Sequence, residues 1–523
     1  MKAALAALEL ATPAQNWLEE IPHLLTKHGF AHVRKGPHIR CWQPEEAQLH
    51  KRKVPLVNGF DIGRLWVGRG KAAVGLTPRR IYLTDENQPD SRSEVDILGG
   101  LDKPVTDIGK ALKRQAHLLG LLGGAQCTSS QVALNDADTG HARSVSIHSC
   151  HASIPVNSNL RMFLRNNGMH NVPDGFRLAV LPADPACEQA AQSYFHKVQN
   201  WFGERRHPIA GGVYSLDAVV NRVAELESGA SPNSKMTAIV FINPGADDST
   251  SKPVLSLMQR LDKLRIPWRR ARATDDQTWS VEDQLGSLVT ATGGYPYFVT
   301  ADDNQLPWCI GIDISHPRDA EFSTACAALT DPGGNLVQAW TIRHLRNEKM
   351  PEESIRQLVN AAEKKLVELD SDPDILLIRD GRIFERENPH DYTDSSIGRI
   401  TLLELLKGGN PTMLTGEEMT LPDHPVIATV PGGGKNERVA FMTPYPDVNF
   451  GFPRVLKLRH RDKWNGAGLS EDKLYKTLCA LCFAPGLGLS RHTLPAPIYW
   501  ADGIAKASDS DLRCRGQKVT RLD

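Results

Sequence analysis

No stretch of this sequence approaches the ~20 consecutive apolar residues of a membrane-spanning helix, so no such span is expected. An excess of one charge is missing too: Lys plus Arg and Asp plus Glu both number 61. A chain without net charge does not announce a polyanionic partner, and any nucleic-acid surface must be local. Cysteine is sparse, nine residues scattered without framework spacing. A disulfide scaffold is therefore not expected, and a reducing cytoplasm fits. Residues 1–10 are rich in Ala and Leu, but they are short and carry Lys2 and Glu9. They read as the start of an amphipathic helix, not a secretory signal. What remains is ordinary globular composition over 523 residues, enough for about three domains.

Two apolar runs stand out because each carries an acid: Trp308-Cys-Ile-Gly-Ile-Asp313-Ile-Ser-His-Pro317 and Asp374-Ile-Leu-Leu-Ile-Arg-Asp380-Gly-Arg382. Such runs read as strands buried on both faces. An ionised carboxylate is costly to bury alone. Two of these strands side by side would bring Asp313 and Asp380 together, and a divalent cation between them is the simplest remedy for their repulsion. That is the carboxylate geometry of two-metal phosphoryl transfer.

Residues 1–165 form an α+β region of uncertain fold. A helix is expected over 13–29, kinked at Pro22, and another over 108–122. Val54–Asp85 reads as short strands with turns at Gly59, Gly68–Gly70 and Pro78. From 166 to 300, strands at 176–181, 235–242 and 265–268 alternate with helices, which argues for a small parallel α/β domain. Arg269, Arg270 and Arg272 follow the last of these strands, where they either grip a phosphate or form a solvated turn. Gln284 opens the next helix, closed by Gly293-Gly294. From 301 to 523 the order is a meander over 309–342 with a hairpin loop at Asp331–Asn335, a helix over 351–369, and the strand of Asp380. A helix over 401–407, a strand over 425–430 and a helix over 469–483 follow. Lys457, Arg459 and Arg461 belong to a basic run beside Trp464 that suits either phosphate contact or a charged surface loop. His148-Ser-Cys150-His151 has metal-ligand residue types but no second cluster to complete a site. Pro431-Gly-Gly-Gly-Lys435 lacks the spacing of a phosphate loop and reads as a turn.

Meander, helix and strand is the order of an RNase H-like fold. Three motifs extend the likeness: Gly311-Ile-Asp313-Ile-Ser-His-Pro317, Ile378-Arg-Asp380-Gly-Arg382 and Leu494-Pro-Ala-Pro-Ile-Tyr-Trp-Ala-Asp502, with Gly466-Ala-Gly-Leu-Ser470 and its helix before the last. On these residues the chain resembles a prokaryotic Argonaute of the short type that lacks a PAZ domain. The resemblance implies an α/β architecture: a Rossmann-like MID domain over 166–300 that holds a guide's 5′ end, then an RNase H-like PIWI domain over 301–523.

It also implies a function: guide-directed cutting of a base-paired target, DNA or RNA, in prokaryotic defence. The family's site is an acidic tetrad with two Mg²⁺ or Mn²⁺ ions. Asp313, Asp380 and Asp502 match three members directly. The fourth, a glutamate near the middle of the interval between the first two, falls on Glu348. Guide contacts are expected from Arg269, Arg270, Arg272, Gln284, Lys457, Arg459 and Arg461. The usual phosphate ligands of the MID domain fall instead on Ala291, Met258 and Arg269. Most short members lack the tetrad and work through an associated effector or N-terminal-like subunit. A guide-loaded sensor that cuts nothing is therefore the alternative.

Overall fold

The computed structural model describes residues 2–9, 17–35, 38–49, 55–66, 72–84, 89, 108–123, 132–135, 143–155, 160–204, 210–225, 235–242, 252–264, 266–272, 281–316, 321–345, 349–383, 387–393, 399–416, 421–422, 425–430, 438–444, 454–460, 468–485, 493–506 and 519–522. They divide into two compact units, residues 1–142 with 403–466 and residues 143–402 with 467–523.

The first unit is built on an antiparallel sheet in the order Ala7–Glu9, Ala72–Tyr82, Pro55–Trp66, His38–Trp42, Ala31–Lys35, with Gln48–Leu49 paired to the third of these. Helices Trp17–Lys27 and Ile108–Gly123 cover it, packing Ile21, Leu25 and Leu118 on Ile39, Phe60 and Leu76. Two sequence expectations are corrected here. The N-terminal run forms two short strands, Ala3–Leu5 and Ala7–Glu9, and not a helix. Residues 3–8 are all buried, and a segment without a solvent face gains nothing from helical amphipathicity. Gly59 and Pro78 are not turns, because they lie inside paired strands opposite Arg79 and Phe60. The same unit holds strands Arg438–Thr443 and Leu456–His460, paired antiparallel.

The second unit begins with a four-stranded parallel sheet ordered Ala210–Val213, Phe176–Pro182, Lys235–Ile242, Trp268–Arg272. Helices Glu188–Glu204 and Val281–Ala291 cover one face. Leu216–Glu225 and Lys252–Lys263 cover the other. This is the alternating α/β domain that the sequence indicates.

Its second half is a mixed sheet. The elements are β1 (Trp308–Ser315), β2 (Phe322–Thr330), β3 (Leu336–Leu345), α1 (Glu352–Val367), β4 (Asp374–Asp380), β5 (Arg399–Leu406), α2 (Glu471–Leu481), α3 (Ala496–Lys506) and β6 (Val519–Arg521). β1, β2 and β3 form an antiparallel meander, and β4 lies parallel to β1. Among these strands the order is β5-β4-β1-β2-β3-β6, and the end of β5, Leu403–Leu406, pairs on its other edge with Lys457–His460. β5, whose last residues lie in the first unit, corrects the helix expected at 401–407: residues 400–405 are all buried. An apolar run covered on both sides has no polar face to present and takes the place of an inner strand. α1 lays Ile355, Leu358, Ala362 and Leu366 over Ile310, Ile312, Ala325, Ile375 and Leu377. Ser470 caps α2, its hydroxyl accepting from the Lys473 amide at 3.3 Å, with Glu471 and Asp472 in the first turn where the helix dipole favours them.

Candidate metal centre

Side-chain alternation along β1 and β4 decides which residues meet. Ile310 and Ile312 point into the core under α1, so Gly311 and Asp313 project from the opposite face. On β4, Ile375 and Leu377 take the α1 side, leaving Leu376, Ile378 and Asp380 on the other. Ile312 lies opposite Arg379 in the parallel pairing, and the next step sets Asp313 beside Asp380.

α3 supplies the third acid from the face opposite α1. A Cβ on Gly311 would lie 2.2 Å from the Pro497 carbonyl oxygen, so the first turn of α3 rests directly on the β1 backbone. Farther along the same helix Asp502 meets the strand ends. Carboxylate oxygens of Asp313, Asp380 and Asp502 all lie within 4.8 Å of one another. Asp313 Oδ1 accepts from the Ile314 amide at 2.8 Å, which fixes its carboxylate plane. Both oxygens of Asp502 accept from Lys506 Nζ, at 2.6 and 2.7 Å.

Three carboxylates this close repel unless a cation joins them. The donor set is all oxygen and anionic, which suits a hard ion such as Mg²⁺ or Mn²⁺. Cys326, opposite Asp313 on β2, is pushed up by burial and by the Asp313 charge and stays protonated. The residues therefore fit the expected ions.

Arg379 projects to the other side of β4. Its Nε donates to the Tyr392 hydroxyl at 3.3 Å and its Nη2 to Glu387 Oε1 at 3.2 Å. The Tyr392 hydroxyl in turn donates to the second Glu387 oxygen, and the Met350 amide donates to the first at 3.1 Å. Burial opposes the charge on Arg379, yet Tyr392, Glu387 and Asp313 outweigh it and hold its pKa above the usual value. Gly381, at φ 132°, turns the chain directly after Asp380, in a region that side chains avoid. The sequence reading missed this network. Its only trace was an arginine at a core position of a buried strand.

No protein-family model and no curated protein matches the sequence. Solved structures do. The Argonaute of Marinitoga piezophila, crystallised with a 5′ OH guide RNA and target DNA, superposes with a TM-score of 0.65 at 12% identity, over 95% of this chain and 86% of that one. The fold is an Argonaute fold. Aquifex aeolicus Argonaute matches over 97% of both chains, with a TM-score of 0.56 and 13% identity. Kluyveromyces polysporus Argonaute with a guide RNA matches over 94% of this chain and 78% of that one, at 0.61 and 10%.

Within this Argonaute fold the other expected site residues are dispersed. Glu348 and Arg461 lie outside the described residues. Arg269, Arg270 and Arg272 do not follow the last parallel strand but lie in it. Ala271 belongs to one core and Trp268 to the other. Arg269 therefore shares the face of Ala271, and Arg270 that of Trp268. Gln284 is buried, accepting from the Tyr194 hydroxyl at 2.6 Å. Lys457 and Arg459 are no surface loop: they sit buried in strand Leu456–His460. Arg459 donates to Glu404, itself fully buried, at 2.9 Å. A buried guanidinium needs such a carboxylate, and the basic spacing alone did not reveal one.

Proposed function

We propose that this protein is a guide-directed endonuclease that hydrolyses a phosphodiester of a base-paired target strand at Asp313, Asp380 and Asp502. The observation that carries the reading is the convergence of these three carboxylates from two strands and a helix. The Argonaute fold supports the guide: the Marinitoga neighbour holds a guide RNA and a target DNA. Base pairing would supply sequence choice while the protein tracks the backbones, the logic of other guided nucleases.

Asp313 and Asp380 would hold two Mg²⁺ or Mn²⁺ ions between adjacent strand ends, with Asp502 completing the oxygen donors and Glu348 as the fourth acid. When bound, such ions lower the pKa of water and offset charge on the leaving 3′ oxygen. Lys506 orients the Asp502 carboxylate through contacts to both of its oxygens. β1 and β4 are rigid inner strands, so Asp313 and Asp380 pay little reorganisation on reaction. Arg269, Arg270 and Arg272 are the proposed guide contacts of the α/β domain and Arg461 that of the first unit; Gln284, Lys457 and Arg459 are buried and are not proposed to touch the strand. The guide's 5′ end would not be gripped by the usual phosphate ligands, whose places fall on Ala291, Met258 and Arg269. Met258 packs against the core of its domain. The 5′ OH guide of the Marinitoga complex is a precedent. The setting proposed is the cytoplasm, in defence against invading nucleic acid. No helix among the described residues is long and apolar enough to cross a membrane.

A second reading, a guide-loaded sensor that signals to an effector subunit, is favoured by one contact. The Lys506 ammonium already spans both oxygens of a metal-ligand candidate. Purified protein loaded with a guide and given Mn²⁺ should cut a matched target, and Asp380→Ala should slow cutting by at least ~10³-fold while leaving guide binding unchanged. Cutting by Asp380→Ala at the wild-type rate would overturn the nuclease reading. Target binding without any cutting by the wild type would select the sensor.

A further inference from the structure

Strand alternation carries the face of the carboxylate centre beyond its three acids. On β2, Ala325, Ala327 and Leu329 lie in the core under α1, so Phe322, Thr324 and Cys326 project on the Asp313 side. On β3, Trp340 and Ile342 take the core side, leaving Thr341, Arg343 and Leu345 on the Asp313 side. The register sets these residues in rows across the sheet. Asp313 lies level with Cys326 and Thr341, the next row on this face pairs Thr324 with Arg343, and the last pairs Phe322 with Leu345. β6 extends the first row with Arg521.

α3 packs over β1, β2 and β3, and Cys326 and Thr341 are buried. In the rows beyond them the face opens. Thr324 is half-buried, and Arg343 and Arg521 are exposed. Phe322 is 48% exposed and Leu345 65%. The Arg343 guanidinium makes no ion pair among the described residues. By the spacing of strands and residues, Arg343 starts about 12 Å from Asp313. A nucleic-acid strand rises ~3.4 Å per nucleotide, so this is a distance of about four nucleotides.

We propose that this strip is a track for the sugar-phosphate backbone of the target strand, with Arg343 taking a phosphate a few nucleotides from the one cut and Phe322 and Leu345 packing on the adjoining sugar. The inference rests on the nuclease reading, and that reading fixes the occupant. The phosphodiester at the three acids belongs to the target, and the strip continues from those acids on the same sheet face. Charge complementarity points the same way, since an exposed cation beside two apolar side chains matches a phosphate beside a sugar. Such contacts position a strand and do not read its sequence. A protein partner fits less well. Two apolar side chains fall far short of the ~800 Å² that each partner gives to a stable interface.

The test is equilibrium binding of a labelled target to the guide-loaded full chain, in EDTA so that nothing is cut, across a series of salt concentrations. Arg343→Ala should reduce the steepness of log K against log salt by ~0.7–0.9, the share of one phosphate. It should also weaken binding at low salt at least ~5-fold, equally for targets of different sequence. Arg343→Lys should restore the slope. The double variant Phe322→Ala, Leu345→Ala should weaken binding about 5-fold with the slope unchanged, because it removes apolar contact and no charge. All three should take up guide as the wild type does, with thermal melts reporting folding. Guide-loaded Arg343→Ala that binds target with wild-type affinity and slope overturns the track and leaves the guided reading standing. Loss of guide uptake in place of target binding overturns the assignment to the target strand. Self-association of the wild type that the double variant abolishes would make the strip a protein interface and overturn the track as well. Wild type that binds neither guide nor target fails the guided reading itself.

Discussion

Arg379 and Asp61 are both charges taken out of water, and each is kept by its partners. Arg379 and Glu387 are 4% and 3% exposed. Removing one member of such a pair costs more than never having made it, about 3–5 kcal/mol. Glu387→Gln should therefore lower the unfolding free energy of the second unit by that amount, read from urea or guanidinium midpoints. It should do so without touching any carboxylate of the metal centre. Asp61 accepts from Arg40 at 2.7 and 3.0 Å and from Arg79 at 2.8 Å. Burial pushes its carboxyl up, but the two arginines outweigh this and hold it below the usual range. Because the folded value is the lower one, its contribution is present above the unfolded pKa of about 3.9 and is lost as pH falls through the folded value. Asp61→Asn should destabilise the first unit at pH 7 by about 2 kcal/mol. The gap from wild type should narrow as pH is taken below about 4, measured by denaturant titration at each pH. Neither network was read from the sequence, where Arg40, Asp61, Arg79, Arg379 and Glu387 are ordinary charges far apart.

At the scale of elements, the packing of α3 on β1 turns three distant acids into one site. Gly311 permits it. Gly311→Ala would place a methyl 2.2 Å from the Pro497 carbonyl oxygen, a backbone atom that cannot swing aside. α3 would have to shift and carry Asp502 with it. Overpacking of this kind costs about 1–3 kcal/mol. Misplacing a metal ligand by ~1 Å costs on the order of 10²-fold in rate. The expected result is a folded protein with a lower thermal midpoint that still binds guide but cuts at least that much more slowly. Unchanged cutting would show that Asp502 is not among the working ligands. The glycine was visible in the sequence only as part of a motif, because a strand pattern does not say which backbone will lie against it.

For the whole molecule, zero net charge means that strand binding has to come from local surfaces. A protein that tracks backbones through several Lys or Arg loses affinity steeply with salt, log K falling by ~0.7–0.9 per phosphate neutralised. Protein purified from cells at low salt should carry short nucleic acid of uniform length, released by high salt and identified by its RNase or DNase sensitivity. Material free of nucleic acid, and unable to take up added guides at any salt, would remove both the nuclease and the sensor readings. Lys457 and Arg459 already warn against counting basic residues as surface, since both are buried in a strand.

The sequence by itself determined the alternation of the α/β domain, the meander and helix that follow it, the strands of Asp313 and Asp380 and the cap at Ser470. Alternation, apolar runs and capping residues are local signals, and local signals survive in one dimension. It misplaced the N-terminal strands and β5, whose burial on every side erased the amphipathic period that separates helix from strand. Only the tertiary structure decided that the three carboxylates converge within 4.8 Å, and that Gln284 and Arg459 spend their polar atoms inside. Each of these depends on which neighbours packing brings from afar, and the spacing of residues along a chain carries no record of that.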